Sequence, residues 1–213
     1  MSEYKEEAIY LAAKELFREL GYKKTTMSKI SKQAGISNGL ISYYYKKQDF
    51  IERLFKKYIE NINEAIIRDV GHLLENTFQK FVLNSMISNY IMNTVSPESK
   101  KLRDELYEND AMPDSLHHEY RNLLRTSLEE FEVRVSDEEF FLYNEVTYIS
   151  KLKIDSDIYS DKIYLNKNTV FNFFSGLVLK LAGVQEDIIQ YNINKGNSLF
   201  DKVDISGISL FSD

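Results

Sequence analysis

Apolar residues recur at intervals of three and four along the first twenty positions of the chain. This spacing places them on one face of a helix, so the pattern predicts a helix from Glu3 to Leu20. Gly21 follows at once, and glycine is typical of the position after a helix, where the backbone enters the left-handed region. The apolar face is formed by Ile9, Ala12, Ala13, Leu16, Phe17 and Leu20.

Two short helices separated by a glycine turn are predicted next. The first begins near Thr26, whose hydroxyl can cap free backbone amides, and it ends before Gly35. Gly35 permits a sharp turn, and Ser37 caps the second short helix, which runs from Asn38 to about Tyr45. Two helices joined by a tight turn in this way are typical of a helix-turn-helix unit.

The remaining chain keeps helical spacing but carries no motif of its own. Its polar and apolar positions still predict where elements begin and end. The same pattern gives a helix over 48–70, a helix start near Ser136, a loop over Lys151–Asp161, an apolar helix over 169–182 and a last helical stretch within 185–211.

Composition supports an all-α fold. The chain has 43% apolar residues but only 2 prolines and 8 glycines, which disfavours turn-dense all-β folds. There are no cysteines, so a disulfide scaffold and a thiolate zinc site are excluded. The acidic N-terminus does not resemble a signal peptide, and no run of about 18 apolar residues exists. We therefore expect a cytoplasmic protein with no membrane partner.

Charge is divided unevenly along the chain. The formal net charge of the whole chain is −6. Residues 1–60 hold 12 basic and 8 acidic residues, whereas the remainder holds 15 basic and 25 acidic residues. The first segment would attract DNA phosphates and the second would repel them. Chance clustering is the alternative, and the helix-turn-helix pattern within the basic segment argues against it.

Patterns of catalysis are missing from the sequence. It contains no thiol, no phosphate-binding glycine loop and no Gly-x-Ser-x-Gly motif, so we do not expect an enzyme or a cofactor. The adjacent His117 and His118 would point about 100° apart on a helix and suit one metal ion poorly. No metal site is predicted.

The segment after Gly35 has the parts that a DNA reader needs. A helix in the major groove requires side chains near its N-terminus that reach base edges, and phosphate contacts on both sides set its register. Asn38 and Ser42 lie on one side of the predicted helix, and Gly39 lets the backbone approach closely. Tyrosine hydroxyls and lysines can bind phosphates. The predicted DNA-binding residues are Thr25, Thr26, Ser37, Asn38, Gly39, Leu40, Ser42, Tyr43, Tyr44, Lys46, Lys47 and Gln48.

On these residues the chain resembles a known family. The stretch LFRELGYKKTTMSKISKQAGISNGLISYYYKKQDFIERLF is similar to the N-terminal domain of the TetR/AcrR family of transcriptional regulators. The resemblance covers residues 5 to about 58, roughly a quarter of the chain. It implies a three-helix DNA-binding domain at 1–60, with its helix-turn-helix at about 26–45, and a helical effector-binding and dimerisation domain at 61–213.

The resemblance also implies partners. Members of the family bind near-palindromic double-stranded DNA as homodimers, most often as repressors, and release it when an effector binds. Dimers usually form through the last two long helices, which here correspond to about 161–183 and 185–211. We therefore expect a homodimer and a small apolar or amphipathic effector.

Three positions depart from the family pattern. Position 42 is often tyrosine and is Ser42 here, and position 48 is often lysine and is Gln48 here. Position 40 is often polar, whereas Leu40 suits either contact with a thymine methyl group or a place in the core. These departures weaken the transfer of base specificity from the family to this chain.

The second half is rich in aromatic residues. Such side chains can line an apolar cavity between helices, although each one alone is also compatible with ordinary core packing. The candidate effector-binding residues are Phe78, Phe81, Tyr90, Tyr120, Phe141 and Tyr148.

Two other functions remain open at this stage. A protein with the same fold can lose DNA binding and serve as a protein-interaction module, which Asp49, Glu52 and the acidic second half would support. A ligand-independent DNA-binding factor is the other alternative, and a C-terminal bundle without a cavity would favour it.

Overall fold

The computed structural model describes residues 2–212. This part of the chain forms ten α-helices and contains no strand, which confirms the all-α fold. The helices are α1 Glu3–Lys24, α2 Met27–Ala34, α3 Asn38–Tyr44, α4 Lys47–Val70, α5 Thr77–Tyr90, α6 Pro97–Glu108, α7 Asp114–Glu130, α8 Asp137–Tyr159, α9 Lys167–Leu181 and α10 Glu186–Ser198. Short 3-10 turns at Gly71–Leu73 and Phe200–Lys202 and a π-helical turn at Ile91–Val95 complete the set.

The chain divides into two compact units. The N-terminal unit combines Met1–Tyr58 with Ile91–Ser115 and Gly207–Asp213. The C-terminal unit combines Ile59–Tyr90 with Leu116–Ser206. The N-terminal unit thus contains α1, α2, α3 and α6, and α1 packs against both α2 and α6.

Gly21 interrupts α1 close to the predicted end of the helix. Its φ of 81° is positive, as expected, but its ψ of −179° is extended rather than left-handed helical. Such a conformation is nearly restricted to glycine because a Cβ atom would clash with the backbone. The chain therefore bends at Gly21 and resumes one further turn before Thr25.

Helix starts follow the capping signals in the sequence. Ser136 accepts a hydrogen bond from the amide of Glu139, and the Glu139 carboxylate binds the Ser136 amide in return, which completes a capping box. Ser96 caps α6 in the simpler way, through its hydroxyl and the amide of Ser99. The helix start predicted at Ser136 is confirmed.

The prediction of a loop over Lys151–Asp161 is wrong, because α8 continues to Tyr159. Lysine and aspartate alternate here at a spacing of four, so opposite charges meet one turn apart along the helix. Lys151 pairs with Asp155, and Lys153 pairs with Asp157 at 2.8 Å. These pairs make a polar stretch compatible with a helix.

Apolar packing of the C-terminal unit involves α5, α7, α8, α9 and α10. Helix α10 lies against α5, where a Cβ on Gly196 would come within 3.0 Å of the Gln79 carbonyl and of Val82. The core is formed by Phe78, Phe81, Val82, Leu123, Leu124, Leu128, Phe140, Val178, Leu179, Val184, Ile189 and Ile193. Within residues 2–212, no helix has both the length and the apolar character needed to cross a bilayer.

Candidate nucleic-acid interface

Gly35 joins α2 to α3 through a left-handed turn. Its φ of 66° and ψ of 27° let the chain reverse direction, and the amide of Ile36 donates to the Ser31 carbonyl at 3.1 Å. Ile30 of α2 and Ile41 of α3 are completely buried, so both helices are fixed to the rest of the unit by one face. The opposite face of α3 is left to solvent.

The exposed face of α3 presents the residues that the sequence singles out. Asn38, Gly39 and Ser42 are all exposed. Tyr43 is 81% exposed, and its ring meets the half-exposed Tyr44 edge-on with 4.9 Å between ring centroids. We call Asn38, Gly39, Ser42, Tyr43 and Tyr44 the recognition face.

Leu40 lies at the border of the recognition face and is 39% exposed. The two interpretations of this residue, contact with a base and a place in the core, were both open in the sequence. Core packing is carried instead by its neighbour Ile41, which is completely buried. Leu40 is therefore available at the surface.

Thr26 and Ser37 occupy the positions before α2 and α3. The Thr26 hydroxyl accepts a hydrogen bond from the amide of Lys29 at 3.3 Å, as a helix cap does. The carbonyl of Ser37 accepts the first bonds of α3, but its hydroxyl makes no capping bond. The predicted capping role of Ser37 is thus limited to its backbone, and its exposed hydroxyl can serve a ligand.

Thr25 must be removed from the predicted interface. It is completely buried, and its hydroxyl donates to the carbonyls of Gly21 at 2.7 Å and Leu16 at 3.0 Å. A hydroxyl held in this way closes the end of α1 and does not reach a phosphate. The neighbouring Thr26 is exposed and stays in the set.

Lys47 is also corrected by the structure. Its ammonium group lies 3.6 Å from the centre of the Tyr22 ring and donates to the Tyr22 carbonyl at 3.1 Å. Burial lowers the pKa of Lys47, and the nearby Glu105 acts in the opposite direction. This lysine fastens α4 to the end of α1, whereas Lys46 is exposed and remains available.

The prediction that Gln48 contacts DNA is also corrected by the structure. Its side-chain amide is partly buried and donates to the carbonyl of Ala111 at 3.2 Å. One turn further along α4, the Glu52 carboxylate accepts the amides of Asp114 and Ser115 at 2.8 and 2.9 Å, which caps α7. Gln48 and Glu52 therefore hold the segment that precedes α7, and Gln48 does not face outward.

Lys29 was missed in the sequence. It follows Thr26 by three residues, lies exposed in the first turn of α2 and donates through its ammonium to the Lys24 carbonyl at 2.7 Å. Lys24 is exposed as well. The three-residue spacing from a capping threonine is the signal that could have identified Lys29, because residues at this spacing share one face of a helix.

The candidate effector-binding aromatics divide into two groups. Phe78 and Phe81 are buried and stacked, with 5.9 Å between ring centroids, and Tyr120 meets Phe81 edge-on at 5.4 Å. Tyr148 stacks on His117 at 3.8 Å. Phe78 and Phe81 lie in the interior of the C-terminal unit, and Tyr120 and Tyr148 are partly buried there.

Tyr90 and Phe141 do not belong to that interior. Tyr90 is exposed near the end of α5 and meets Phe200 edge-on at 5.3 Å. Phe141 is exposed on α8, because the adjacent Phe140 takes the buried position of the helix turn. The assignment of both residues to an internal pocket is corrected on this ground.

A chain of hydrogen bonds between polar side chains runs through the C-terminal unit. The Tyr120 hydroxyl donates to the Asn84 side-chain oxygen at 3.2 Å, and the Asn84 amide donates to the Asn63 oxygen at 3.0 Å. Asn63 reaches the Glu119 carboxylate at 3.4 Å. We call Asn63, Asn84 and Tyr120 the polar chain. Sequence reasoning missed it, although asparagine at a buried position of an apolar helix was the available signal.

An apolar surface lies on the outside of α8 and α9. Leu142, Val146 and Ile149 follow each other by four and three residues and are all exposed, so they share one side of α8. Phe173 and Leu181 are exposed on α9, which packs beside α8. We call these five residues the apolar face. Large side chains grouped in this way are typical of an interaction surface.

The prediction that α10 shares in a dimer surface stays a prediction, and Ile188 and Tyr191 are the exposed apolar residues of this helix. Its apolar residues Ile189 and Ile193 are buried within the chain, because Gly196 lets the helix lie close to α5.

Comparison with known proteins agrees with these features. The model of the family "Bacterial regulatory proteins, tetR family" matches residues 9–54, which include α2, α3 and the turn between them. A curated relative, the fatty acid metabolism regulator protein of Bacillus subtilis (strain 168), is 40% identical over 60 residues. These make up 28% of the present chain, and the match spans only 31% of the relative's length.

Solved structures are similar over most of the chain. RolR without ligand covers 90% of this chain and 96% of its own, with a TM-score of 0.56 at 14% identity. The structure of RolR in complex with resorcinol covers 91% of this chain and 96% of its own, with a TM-score of 0.54 at 14% identity. A TetR transcriptional regulator from Rhodococcus sp. RHA1 covers 83% of this chain and 94% of its own, with a TM-score of 0.53 at 14% identity. Residues 9–54 therefore match the N-terminal domain of the tetR family, and the helical fold of the chain is similar to that of these solved structures over most of its length.

Proposed function

We propose that the chain is a transcriptional repressor that binds double-stranded DNA as a homodimer and releases it when a small effector binds. One observation carries the proposal: α3 is fixed by the completely buried Ile41 while Asn38, Ser42 and Tyr43 are exposed. A short helix held firmly by one face can enter the major groove with the opposite face against the bases.

The recognition face supplies two kinds of contact. Asn38 and Ser42 carry groups that hydrogen-bond to base edges, and asparagine suits adenine in particular. Tyr43 and Tyr44 place hydroxyls near the backbone, where they bind phosphates and set the register. Around this face Thr26, Lys29 and Lys46 are exposed and provide further phosphate contacts.

The sequence match bears on DNA binding more than on the effector. It falls within the residues that form α1 to α4, and the B. subtilis relative is named as a regulator. Because the match spans 31% of that relative, it carries no argument about the effector of this chain. The proposal therefore takes from this relative only its description as a regulator.

Dimer formation is assigned to the apolar face on α8 and α9. Two antiparallel helices from each copy would form a four-helix interface, which buries Val146, Ile149 and Phe173 and removes them from water. A symmetric pair offers two copies of α3 to one side of DNA, about 34–36 Å apart for successive major grooves. This arrangement requires a near-palindromic operator.

Effector binding is assigned to the C-terminal unit. RolR, which has a similar fold, is described in complex with resorcinol, and this supports the capacity of such a bundle to hold a small molecule. An effector that favours a conformer with a different α3 separation would release DNA through differential affinity. A coupling free energy of about 1–3 kcal/mol is sufficient.

The experiment is a selection of bound duplexes from a random DNA pool, followed by fluorescence anisotropy on the enriched sequence. We expect a near-palindrome, and an affinity that falls by about 10³-fold or more between 50 and 200 mM salt, as for proteins with many phosphate contacts. Tyr43→Ala should weaken binding, whereas Tyr164→Ala removes an equally exposed tyrosine of the C-terminal unit and should not. Failure to enrich any sequence, or binding that is insensitive to salt, would contradict the proposal.

A further inference from the structure

The polar chain lies in surroundings that do not favour it. Asn84 is completely buried on α5, between positions occupied by the buried Val82 and Ile87. Tyr120 contacts the ring of Phe81 with its edge, at 5.4 Å between centroids. Buried amides and hydroxyls stabilise a fold only weakly even when they are paired, and apolar side chains of the same shape would serve at least as well.

The polar chain has hydrogen-bonding groups that no other group in the described chain uses. Asn84 donates one N–H to Asn63, and its second N–H has no acceptor among the described residues. Next to it, the buried hydroxyl of Ser85 lies close to the Tyr120 hydroxyl but makes no hydrogen bond of good geometry within residues 2–212. Buried donors without partners are costly, so a molecule that supplies acceptors here would bind favourably.

The charged groups around the polar chain limit the charge that a ligand can carry. The polar chain contacts an ionised group, the carboxylate of Glu119, through a hydrogen bond from Asn63. No lysine or arginine takes part in the hydrogen bonds of Asn63, Asn84 or Tyr120 in the described part of the protein. An anionic ligand would therefore lose its hydration without gaining a cation, which is strongly unfavourable.

Aromatic rings border the polar chain. Phe81 contacts Tyr120, Phe78 stacks on Phe81, and Phe131 meets Phe78 edge-on at 6.3 Å. A flat aromatic ligand can form the same offset or edge-on contacts with these rings that they form with each other.

We propose that the polar chain recognises the effector, and that the effector is a compact, neutral aromatic molecule bearing hydroxyl or amide groups. This inference rests on the proposed function and narrows the earlier expectation of an apolar or amphipathic effector. The ligand's polar groups exchange hydrogen bonds with Asn84, Asn63 and the Ser85 hydroxyl, and its ring packs against Phe81. Since Asn63 belongs to α4, Asn84 to α5 and Tyr120 to α7, one ligand bridges three helices.

Calorimetric titration of the full chain with three shape-matched probes tests the inference. 3-Hydroxybenzamide is neutral and polar, 3-hydroxybenzoate is its anionic counterpart, and m-xylene is its apolar counterpart. Phenol and benzamide are two further neutral polar probes. We expect saturable binding for neutral polar probes, and at least tenfold weaker binding for the anion and for m-xylene. Absence of binding by every neutral polar probe, or equal binding of m-xylene, overturns the inference.

Variants separate recognition from structural support. The triple variant Asn63→Leu/Asn84→Leu/Tyr120→Phe removes both amides and the hydroxyl that donates to Asn84 together, so we expect its thermal midpoint to stay close to wild type while probe binding falls at least tenfold. Tyr120→Phe should also weaken binding. Asn192→Leu is the control, because Asn192 is another buried asparagine of the same unit, bound to Gln79 at 2.8 Å away from the polar chain. Its probe affinity should stay at the wild-type value.

Two outcomes would count against recognition by the polar chain. Probe binding that survives in the triple variant, or a large fall in its midpoint with binding retained, would assign the polar chain a structural role. Failure of the proposed function is seen separately, because the titration contains no DNA. If probes bind while no duplex is ever enriched, the site stands and the regulatory function fails.

Discussion

The carboxylate of Glu105 occupies the space that a side chain on Gly21 would need. An ideal Cβ atom at position 21 would lie 2.6 Å from both carboxylate oxygens. The same carboxylate accepts the Lys23 amide at 2.8 Å, and the Lys23 ammonium pairs with Glu108 at 2.6 Å. Helix α6 therefore holds the last turn of α1, directly before the segment that leads to the DNA-binding helices.

Gly21→Ala should destabilise the protein for two reasons. The backbone at position 21 has a conformation that is nearly restricted to glycine, which costs about 1–3 kcal/mol for another residue, and the new methyl group would displace Glu105. Gly183→Ala is the matched control, since Gly183 has a φ of 91° but no atom near its Cβ position. Urea denaturation should show the larger loss for Gly21→Ala. Equal losses would mean that Glu105 moves away freely.

Thr25 and Thr26 are neighbours with different roles, and substitution should separate them. Thr25→Val removes a hydroxyl that satisfies the Gly21 and Leu16 carbonyls, so we expect a loss of about 1–3 kcal/mol in unfolding free energy. Thr26→Ala removes a helix cap and an exposed hydroxyl, with a loss of about 1 kcal/mol and weaker DNA binding. Denaturation and anisotropy together give the comparison. Unchanged stability of Thr25→Val would contradict the structural role.

Short-range signals predicted the DNA-binding helices well. The bounds of α2 and α3 depend on Thr26, Gly35 and Ser37, which act on their own neighbours in the chain, and the structure places both helices within one or two residues of the prediction. Capping and turn formation are local, so a sequence contains them directly.

Errors arose where a residue's role is set by distant parts of the chain. Thr25 is buried against the Leu16 carbonyl, and Gln48 binds Ala111, which lies 63 positions away. Nothing in the neighbouring sequence specifies such partners. The polar chain was missed for the same reason, because Asn63, Asn84 and Tyr120 come from three helices and meet only in the folded unit.

Gly39→Ala should change stability and DNA binding in opposite directions. Gly39 lies inside α3 with nothing within 4 Å of its Cβ position, so alanine is expected to stabilise the helix by about 0.5–1 kcal/mol. The same methyl group would stand between the backbone and DNA and weaken binding. Thermal unfolding and anisotropy on the selected duplex measure the two effects. Unchanged affinity would remove Gly39 from the recognition face.

Asp69 should make stability depend on pH in the acid range. A hydrogen bond from Arg68, and next one from the Asp204 amide at 2.8 Å, lower the pKa of Asp69 to about 2. A depressed pKa means that the stabilisation is complete above the unfolded pKa of about 4 and is lost as the pH falls through about 2. The stability difference between wild type and Asp69→Asn should therefore be constant above pH 5 and shrink towards pH 2. A difference that persists at pH 2 would contradict this assignment.

The apolar face predicts how the oligomeric state responds to charge. Ile149 on α8 and Ile67 on α4 are equally exposed, at 60% and 61%, but only Ile149 belongs to the face. A glutamate at 149 would be buried without a partner in the proposed dimer, whereas at 67 it would stay in water. Sedimentation equilibrium should therefore give a dimer for wild type and Ile67→Glu and a monomer for Ile149→Glu. Because one α3 makes half of the operator contacts, the monomer should also lose most of its affinity for the palindrome. A dimer that persists in Ile149→Glu would move the interface to another surface.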